Sequence, residues 1–288
     1  MKRKLNLVSC TIALLFLFFN LHLSAQENAA SPTNFVYKQV GADTLRAYVF
    51  EPTKTMKNRA AILLFHGGGW KFGDASWMFQ RAKEFADSGL VAFALDYRLA
   101  NNGLSPIDAV EDACAAFAWV RKHAEQFGID KKQVIGYGES SGGHLVASTA
   151  TLSSVRAQKI PQQSRPNTML LYCPPLNLTH DPYFNMLIEG KGNSVDYSPS
   201  EFINNKLPPT LIIAGEKDSI AYTSNAIAFR DKAIELGTQC SLYVYPGVGH
   251  MLTRNLKVQY ADFDFDPAYV SDAHKQVDVF LRAHGYYR

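Results

Sequence analysis

The sequence predicts an α/β fold: a mostly parallel central sheet with helices on both faces and an antiparallel hairpin at its amino-terminal edge. From residue 60 onward, short apolar runs alternate with longer helical patterns, which is typical of parallel strands joined by right-handed helical crossovers. Before that point, two apolar stretches flank a turn at residues 41–44 and indicate the hairpin. A chain of 288 residues, 47% of them hydrophobic, is long enough to bury a full core.

Each element is predicted from a local pattern. Short apolar runs between turn residues indicate strands, and apolar residues three and four positions apart indicate helices. The clearest helix follows Pro106, where Ile107, Val110, Phe117 and Val120 share one face. The predicted strands are residues 35–40, 45–50, 60–65, 90–95, 133–138, 169–172, 211–214 and 240–245. The predicted helices are residues 77–88, 106–127, a segment after residue 140, 222–236 and 269–284.

Two segments interrupt this alternation. Residues 153–167 are polar, contain two prolines and are predicted to form a surface loop. Residues 174–209 are rich in aromatic residues and lie between two predicted core strands. This longer segment has two interpretations that the sequence leaves open: a small cap over a functional site, or a packed connection that does not touch a ligand.

Residues 1–25 are predicted to be a signal peptide. A basic amino terminus precedes an apolar run at residues 12–19, and Ala25 is a small residue suited to cleavage. The run is too short for a mature membrane span, although an uncleaved amino-terminal tether stays open as an alternative. A lipid anchor at Cys10 is disfavoured because that cysteine precedes the apolar run. We therefore expect an exported protein, periplasmic or secreted, with residues 26–288 as a single domain.

Charge and cysteine content argue against several classes of protein. The net charge of +3 is matched by three basic residues in the predicted signal peptide, so the remainder is formally neutral. Nothing in it indicates nucleic-acid binding or a stable membrane partner. Three cysteines, Cys114, Cys173 and Cys240, lie in apolar elements beyond the signal and are predicted to be buried thiols. No cluster has the spacing of a structural zinc site, so neither a metal nor a cofactor is predicted.

The strongest chemical signal is Gly-Glu-Ser-Ser-Gly at residues 138–142. A predicted strand precedes this motif and a predicted helix follows it, which is the context of a nucleophilic serine on a sharp turn. Ser140 is the predicted nucleophile. A serine hydroxyl is weakly reactive at neutral pH, so it needs a base to take its proton and a third group to orient that base.

Asp218 and His250 are predicted to supply the acid and the base. Each follows a predicted strand, so both belong to loops at the edge of the sheet where Ser140 lies. The order serine, acid, histidine is one of the three common orders for this catalytic geometry. Glu216 competes with Asp218 in the same loop. The histidines that compete with His250 are His144, His180 and His274, of which we interpret His144 as structural.

The segment His-Gly-Gly-Gly at residues 66–69 follows another predicted strand. Backbone N–H groups without side chains in the way are suited to binding the negative oxygen of a tetrahedral intermediate. The predicted oxyanion hole consists of the amides of Gly68, Gly69 and Ser141, and Ser141 needs only its backbone for this role.

These motifs, together with Asp-Tyr-Arg-Leu-Ala at residues 96–100, resemble the α/β-hydrolase superfamily. The resemblance covers the chain from about Phe35 onward and points to microbial esterases of the acetylxylan-esterase-like and hormone-sensitive-lipase-like groups. The Asp-Pro-Leu acid motif typical of the latter group is absent after the strand at residues 211–214. The acetyl-esterase side is therefore favoured.

The resemblance implies a serine carboxylesterase that hydrolyses short-chain acyl esters through an acyl-enzyme. It further implies that the substrate is a small-molecule or carbohydrate ester. The expected class is an acetylated polysaccharide or oligosaccharide, with Trp70, Phe72 or cap aromatics available for stacking. Two alternatives stay open: an exported peptidase of the prolyl-oligopeptidase type, and a noncatalytic carbohydrate-binding relative.

Overall fold

A computed structural model describes residues 32–53 and 58–287. From Thr33 onward, the described residues form one compact unit. The predicted signal peptide at residues 1–25 lies outside the described residues.

The strands are β1 (Thr33–Val40), β2 (Asp43–Phe50), β3 (Arg59–Phe65), β4 (Val91–Leu95), β5 (Ile129–Glu139), β6 (Ser154–Val155), β7 (Gln158–Lys159), β8 (Thr168–Tyr172), β9 (Thr210–Gly215) and β10 (Cys240–Tyr245). The α-helices are α1 (Phe79–Asp87), α2 (Pro106–Lys122), α3 (Ser141–Thr151), α4 (Pro182–Leu187), α5 (Thr223–Glu235) and α6 (Pro267–Ala283).

Eight strands form the central sheet in the order β1-β2-β4-β3-β5-β8-β9-β10. The pairings from β4 to β10 are parallel, whereas β1 pairs with β2 and β2 with β4 in antiparallel fashion. The predicted fold class is therefore confirmed, including the hairpin at the amino-terminal edge. Because six strands are parallel, the loops that follow β3, β5, β9 and β10 all emerge at one edge of the sheet.

Two hydrophobic cores lie on opposite faces of this sheet. Successive residues of β3 alternate between them, with Leu63 in one core and Ile62 and Leu64 in the other. Helices α2, α3 and α5 supply the first core, and α1 and α6 the second. Both faces are covered, so β3, β4, β8 and β9 are buried along their whole length.

Several predicted boundaries were wrong for local reasons. Helix α2 ends at Lys122 rather than residue 127, because the chain turns there and reaches Gly128 with a φ of 62°. Strand β5 starts at Ile129 rather than residue 133, since exposed lysines hide its apolar pattern. The predicted surface loop at residues 153–167 contains the small hairpin β6–β7 and a turn of 3₁₀-helix.

The segment at residues 174–209 is built from short helical elements joined by loops. It contains α4 and two turns of 3₁₀-helix, Ser194–Tyr197 and Pro199–Phe202. Asp181 caps α4 by accepting a hydrogen bond from the amide of Phe184, a fully buried residue. Among the described residues, no helix has both the length and the apolar character that a membrane crossing requires.

Candidate active site

Ser140 lies on a strained turn between β5 and α3. Its φ of 49° and ψ of −119° fall outside the regions that L-residues ordinarily occupy. Its amide donates a hydrogen bond of 2.8 Å to the carbonyl of Tyr172 on β8. A Cβ atom at Gly142 would lie 2.1 Å from the carbonyl oxygen of Phe65, so glycine is required for α3 to approach β3 this closely. The turn presents the Ser140 hydroxyl at the carboxyl edge of the sheet.

The structure brings Ser140, Asp218 and His250 together from three separate loops. The Nε2 atom of His250 lies 2.8 Å from the Oγ atom of Ser140. The Nδ1 atom lies 2.8 Å from Oδ2 of Asp218. An ionised carboxylate only accepts hydrogen bonds, so Nδ1 carries the proton and Nε2 is free to accept from the serine hydroxyl. This is the arrangement that a proton transfer from Ser140 requires.

Backbone amides hold the Asp218 side chain in place. Its Oδ1 atom accepts hydrogen bonds from the amides of Ile220 and Ala221, at 2.9 and 2.8 Å. The other oxygen therefore remains available to His250. Glu216, the competing acid, is exposed and accepts a hydrogen bond from the amide of Gly247 instead. Geometry thus distinguishes the two carboxylates that the sequence left in competition.

The three predicted oxyanion amides follow β3 and begin α3. Gly68 has a φ of 116° and Gly69 a φ of 58°, so both are in the left-handed region where glycine is favoured. Within the described residues, the amides of Gly68, Gly69 and Ser141 donate to no protein acceptor. The Ser141 amide belongs to the unpaired first turn of α3. The loop that carries Gly68 and Gly69 adjoins Ser140, because a Cβ on Gly67 would lie 3.3 Å from the Cβ of Ser140. Three donors without protein acceptors thus belong to segments next to Ser140, and their role as an oxyanion hole stays a prediction.

We expect the Gly68→Ala substitution to lower kcat by about 10²- to 10³-fold, the cost of losing one oxyanion donor. The new Cβ would lie 2.1 Å from the carbonyl oxygen of Phe72, so the loop must shift. Gly103→Ala is the matched control, because Gly103 also has a positive φ, of 84°, but no atom within 4 Å of the added Cβ. Ester hydrolysis and thermal unfolding of both variants test this expectation, and equal losses of kcat would contradict it.

Two buried histidines, His66 and His144, help to hold the loop at residues 66–70, and both are uncharged at neutral pH. His66 stacks on Tyr97 at a centroid distance of 4.3 Å, and the Tyr97 hydroxyl donates to the His66 carbonyl. His144 accepts a hydrogen bond at Nδ1 from the Trp70 indole and donates from Nε2 to the carbonyl of Tyr197. Burial lowers the pKa of His66 and the pKa of His144 to about 4. The interpretation of His144 as structural agrees with these contacts.

These lowered pKa values predict a loss of stability in acid. Well above pH 6.5, both histidines are neutral in the folded and unfolded chain, so they add no pH dependence there. Below it, the unfolded chain binds protons that the folded chain does not bind, and each histidine reduces the free energy of unfolding by about 2 kcal/mol between pH 7 and pH 5. We expect His144→Gln, whose amide can both accept and donate, to weaken this fall by that amount. Urea unfolding at the two pH values measures it, and an identical fall in both proteins would contradict it.

The segment at residues 174–209 touches the loop that carries the predicted oxyanion amides. The hydroxyl of Tyr183, on α4, donates a hydrogen bond of 3.2 Å to the carbonyl of Gly69. Its ring is in contact with the position that a Cβ of Gly69 would take. Phe184 packs edge-on against Trp70 and His144. These contacts place the segment against the loop at residues 66–70, and its role as a cap over the site stays a prediction.

Sequence reasoning did not find Tyr183 as a site residue, nor Gln259. Gln259 contacts the backbone of both the Asp218 loop and the His250 loop. Neither residue belongs to a motif, and the only sequence signal for Tyr183 was the aromatic content of its segment. Both act through side-chain contacts with backbone atoms, which a linear pattern does not reveal.

Cys173, Asp218 and His250 form the set of possible metal ligands found among the described residues. Their ligand atoms lie within 4.8 Å of one another and all three residues are buried. The hydrogen bond between Asp218 and His250 already joins two of these atoms, so a metal there would have to displace its proton. The three described cysteines are free thiols.

Comparison with known proteins places these features in a family context. The family model named BD-FAE matches residues 48–170. An arylesterase of Saccharolobus solfataricus is 26% identical over 63% of this chain and 65% of its own length. An acetylxylan esterase of Xylanibacter ruminicola is 28% identical over 66% of this chain and 40% of its own length. The chain thus spans less than two thirds of these curated relatives.

A solved structure is similar over almost the whole chain. It is that of esterase 2 of Thermogutta terrifontis, phosphorylated by paraoxon. It superimposes with a TM-score of 0.79, is 26% identical and covers 90% of this chain and 96% of the esterase. The predicted resemblance to α/β-hydrolase carboxylesterases is confirmed by these comparisons.

Proposed function

We propose that this chain, which belongs to the α/β-hydrolase superfamily and resembles its carboxylesterases, is a serine hydrolase of short-chain carboxylic esters. One observation carries the proposal: His250 bridges Ser140 and Asp218 through two contacts of 2.8 Å. Three side chains hydrogen-bonded in this order activate the serine hydroxyl, and acyl transfer by them needs no cofactor.

In the first half of the reaction, the Oγ atom of Ser140 attacks the ester carbonyl carbon and its proton passes to Nε2 of His250. The amides of Gly68, Gly69 and Ser141 stabilise the resulting oxyanion. The bond to the alcohol oxygen then breaks, and His250 returns its proton to that oxygen. An acyl-enzyme on Ser140 and a free alcohol are the products.

In the second half, water replaces the alcohol. His250 takes a proton from the water molecule as the water oxygen attacks the acyl carbon. The second tetrahedral intermediate collapses, the bond to Ser140 breaks and the serine recovers its proton from His250. A carboxylic acid leaves, and Asp218 keeps His250 in the required tautomer throughout.

Acetylated polysaccharide or oligosaccharide is the proposed substrate class. The acetylxylan esterase among the relatives supports the carbohydrate part of this class. Structures of the Thermogutta esterase with propionate and butyrate bound support a short acyl group. Phe72 and Trp77 are exposed aromatic residues that follow the loop at residues 66–70, and their rings suit stacking on a sugar ring. The Trp77 ring borders Gly73 and packs edge-on against His66. Export, proposed from the pattern of residues 1–25, would bring the protein to such polymers.

A panel of substrates tests this proposal. p-Nitrophenyl esters from acetate to palmitate define the acyl length, and acetylated xylan with released acetate as the readout defines the alcohol side. We expect kcat/KM to be highest for acetate to butyrate and acetate to be released from xylan. Activity confined to long-chain esters would overturn the substrate class. Inertness toward every ester, with or without cleavage of prolyl peptides, would overturn the proposed activity.

A further inference from the structure

We infer that Gln259 is a positioning residue that sets the distance between the imidazole of His250 and its two partners. Gln259 lies in the irregular segment between β10 and α6 and is 4% exposed. No part of it touches a reacting atom. The inference rests on the proposed function, since it assigns a further residue to the same site.

The side-chain amide of Gln259 joins the acid loop to the histidine loop. Its Oε1 atom accepts one hydrogen bond from the amide of His250, at 2.8 Å, and another from the amide of Ser219, at 3.1 Å. These are the backbone of the predicted base and the residue directly after the predicted acid. One oxygen atom therefore fixes the spacing of the two loops that carry Asp218 and His250.

The other end of the amide is equally constrained. Its Nε2 atom donates to the carbonyl of Lys217 at 3.0 Å and to the carbonyl of Leu256 at 3.4 Å. Two N–H donors face the oxygen and two carbonyl acceptors face the nitrogen, so only one orientation of the amide satisfies all four contacts. Glutamine is the neutral side chain that provides both functions at this length, whereas glutamate would place an oxygen against two carbonyl oxygens.

The side-chain amide of Gln259 lies where a side chain at position 249 would be, and residue 249 is a glycine. A Cβ atom on Gly249 would lie 2.4 Å from both Cδ and Oε1 of Gln259. Gly249 has a negative φ, of −97°, and the three atoms nearest to the added Cβ all belong to the side chain of Gln259, so that side chain is the nearest obstacle. The residue immediately before the predicted base is thus a glycine that accommodates Gln259.

A buried amide with these partners acts on the reaction through geometry. A shift of about 1 Å in the position of a catalytic group costs about 10²-fold in rate. Loss of Gln259 leaves the buried amide of His250 and the amide of Ser219 without these acceptors, and the loops relax toward other partners. The effect falls on proton transfer at Ser140 and not on substrate binding, so kcat should change while KM does not.

The first experiment compares Gln259→Met with Gln80→Met, a matched substitution at an exposed position on α1. Steady-state hydrolysis of p-nitrophenyl acetate and the rate constant for reaction with a fluorophosphonate are measured for both. We expect Gln259→Met to lower kcat and the fluorophosphonate rate constant by about 10- to 10²-fold at unchanged KM, and Gln80→Met to match wild type. A wild-type kcat in Gln259→Met, or a change confined to KM, would overturn the inference.

A double-mutant cycle provides a second route that does not depend on the folding of one variant. Gly249→Ala should lower kcat in the wild-type background because its Cβ displaces the Gln259 amide. In a Gln259→Ala background the nearest obstacle is gone, so Gly249→Ala should cost clearly less than in the wild-type background. Equal losses in the two backgrounds would overturn the inference.

These outcomes are separable from failure of the proposed function. A wild-type protein that hydrolyses no ester counts against the proposed function, and the fluorophosphonate rate constants then still test Gln259. A wild-type protein that hydrolyses esters, with unimpaired Gln259 variants, leaves the proposed function in place and removes the role of Gln259.

Discussion

We expect the Ser140→Ala variant to hydrolyse p-nitrophenyl acetate about 10⁵- to 10⁶-fold more slowly than the wild-type protein, with the fold intact. The Oγ atom of Ser140 is the atom that forms the acyl-enzyme, so its removal leaves only the oxyanion amides and substrate binding to assist attack by water. His250 and Asp218 remain in place, but they have no nucleophile to activate. Initial rates at saturating substrate, together with circular dichroism and thermal unfolding, measure the effect.

Ser153→Ala is the matched control for this substitution. Ser153 is exposed just beyond the carboxyl end of α3, whereas Ser140 precedes the amino end of the same helix. We expect the control to retain wild-type kcat and KM. A Ser140→Ala variant within tenfold of the wild-type kcat, at comparable stability, would show that another group attacks the ester.

The Asp218→Asn variant should lose about 10⁴-fold in kcat. Its Oδ1 position accepts two backbone hydrogen bonds, from Ile220 and Ala221, so the asparagine oxygen is expected to take that position. The NH₂ group then faces Nδ1 of His250 and donates to it. The imidazole is driven to the tautomer with its proton on Nε2, which cannot accept the proton of Ser140.

Glu216→Gln is the matched control, since Glu216 is the neighbouring acid on the same loop and is exposed. We expect its kcat to stay within a few-fold of wild type, as is usual for exposed positions. Rates for both variants across a pH series distinguish the two carboxylates. The reverse ranking, with the larger loss at Glu216, would contradict the assignment of Asp218.

Much of the site could be predicted because its chemistry requires particular residues at the ends of strands. Ser140 needs glycine neighbours, since α3 packs too closely on β3 and β5 to admit side chains at positions 138 and 142. That requirement is visible in the sequence. Asp218 and His250 could be placed because each follows an apolar strand, and parallel strands end at one edge of the sheet.

The remaining features depend on contacts that no periodic pattern encodes. Gln259 lies nine positions after His250 in an irregular segment, and its role arises from four hydrogen bonds to backbone atoms. Tyr183 reaches Gly69 from a part of the chain more than a hundred residues away. The competition between Asp218 and Glu216 was also a matter of position in space, because both follow the same strand and both are carboxylates.

Reaction with paraoxon followed by peptide mass spectrometry tests the central claim most directly, namely that His250 and Asp218 make the Ser140 hydroxyl a nucleophile. The Thermogutta esterase has been captured phosphorylated by this compound. We predict a single diethylphosphoryl group on the peptide that contains Ser140, loss of esterase activity in proportion to labelling, and no label in the Ser140→Ala variant. Labelling of another residue in step with inactivation, or full activity after Ser140 is blocked, would contradict the account.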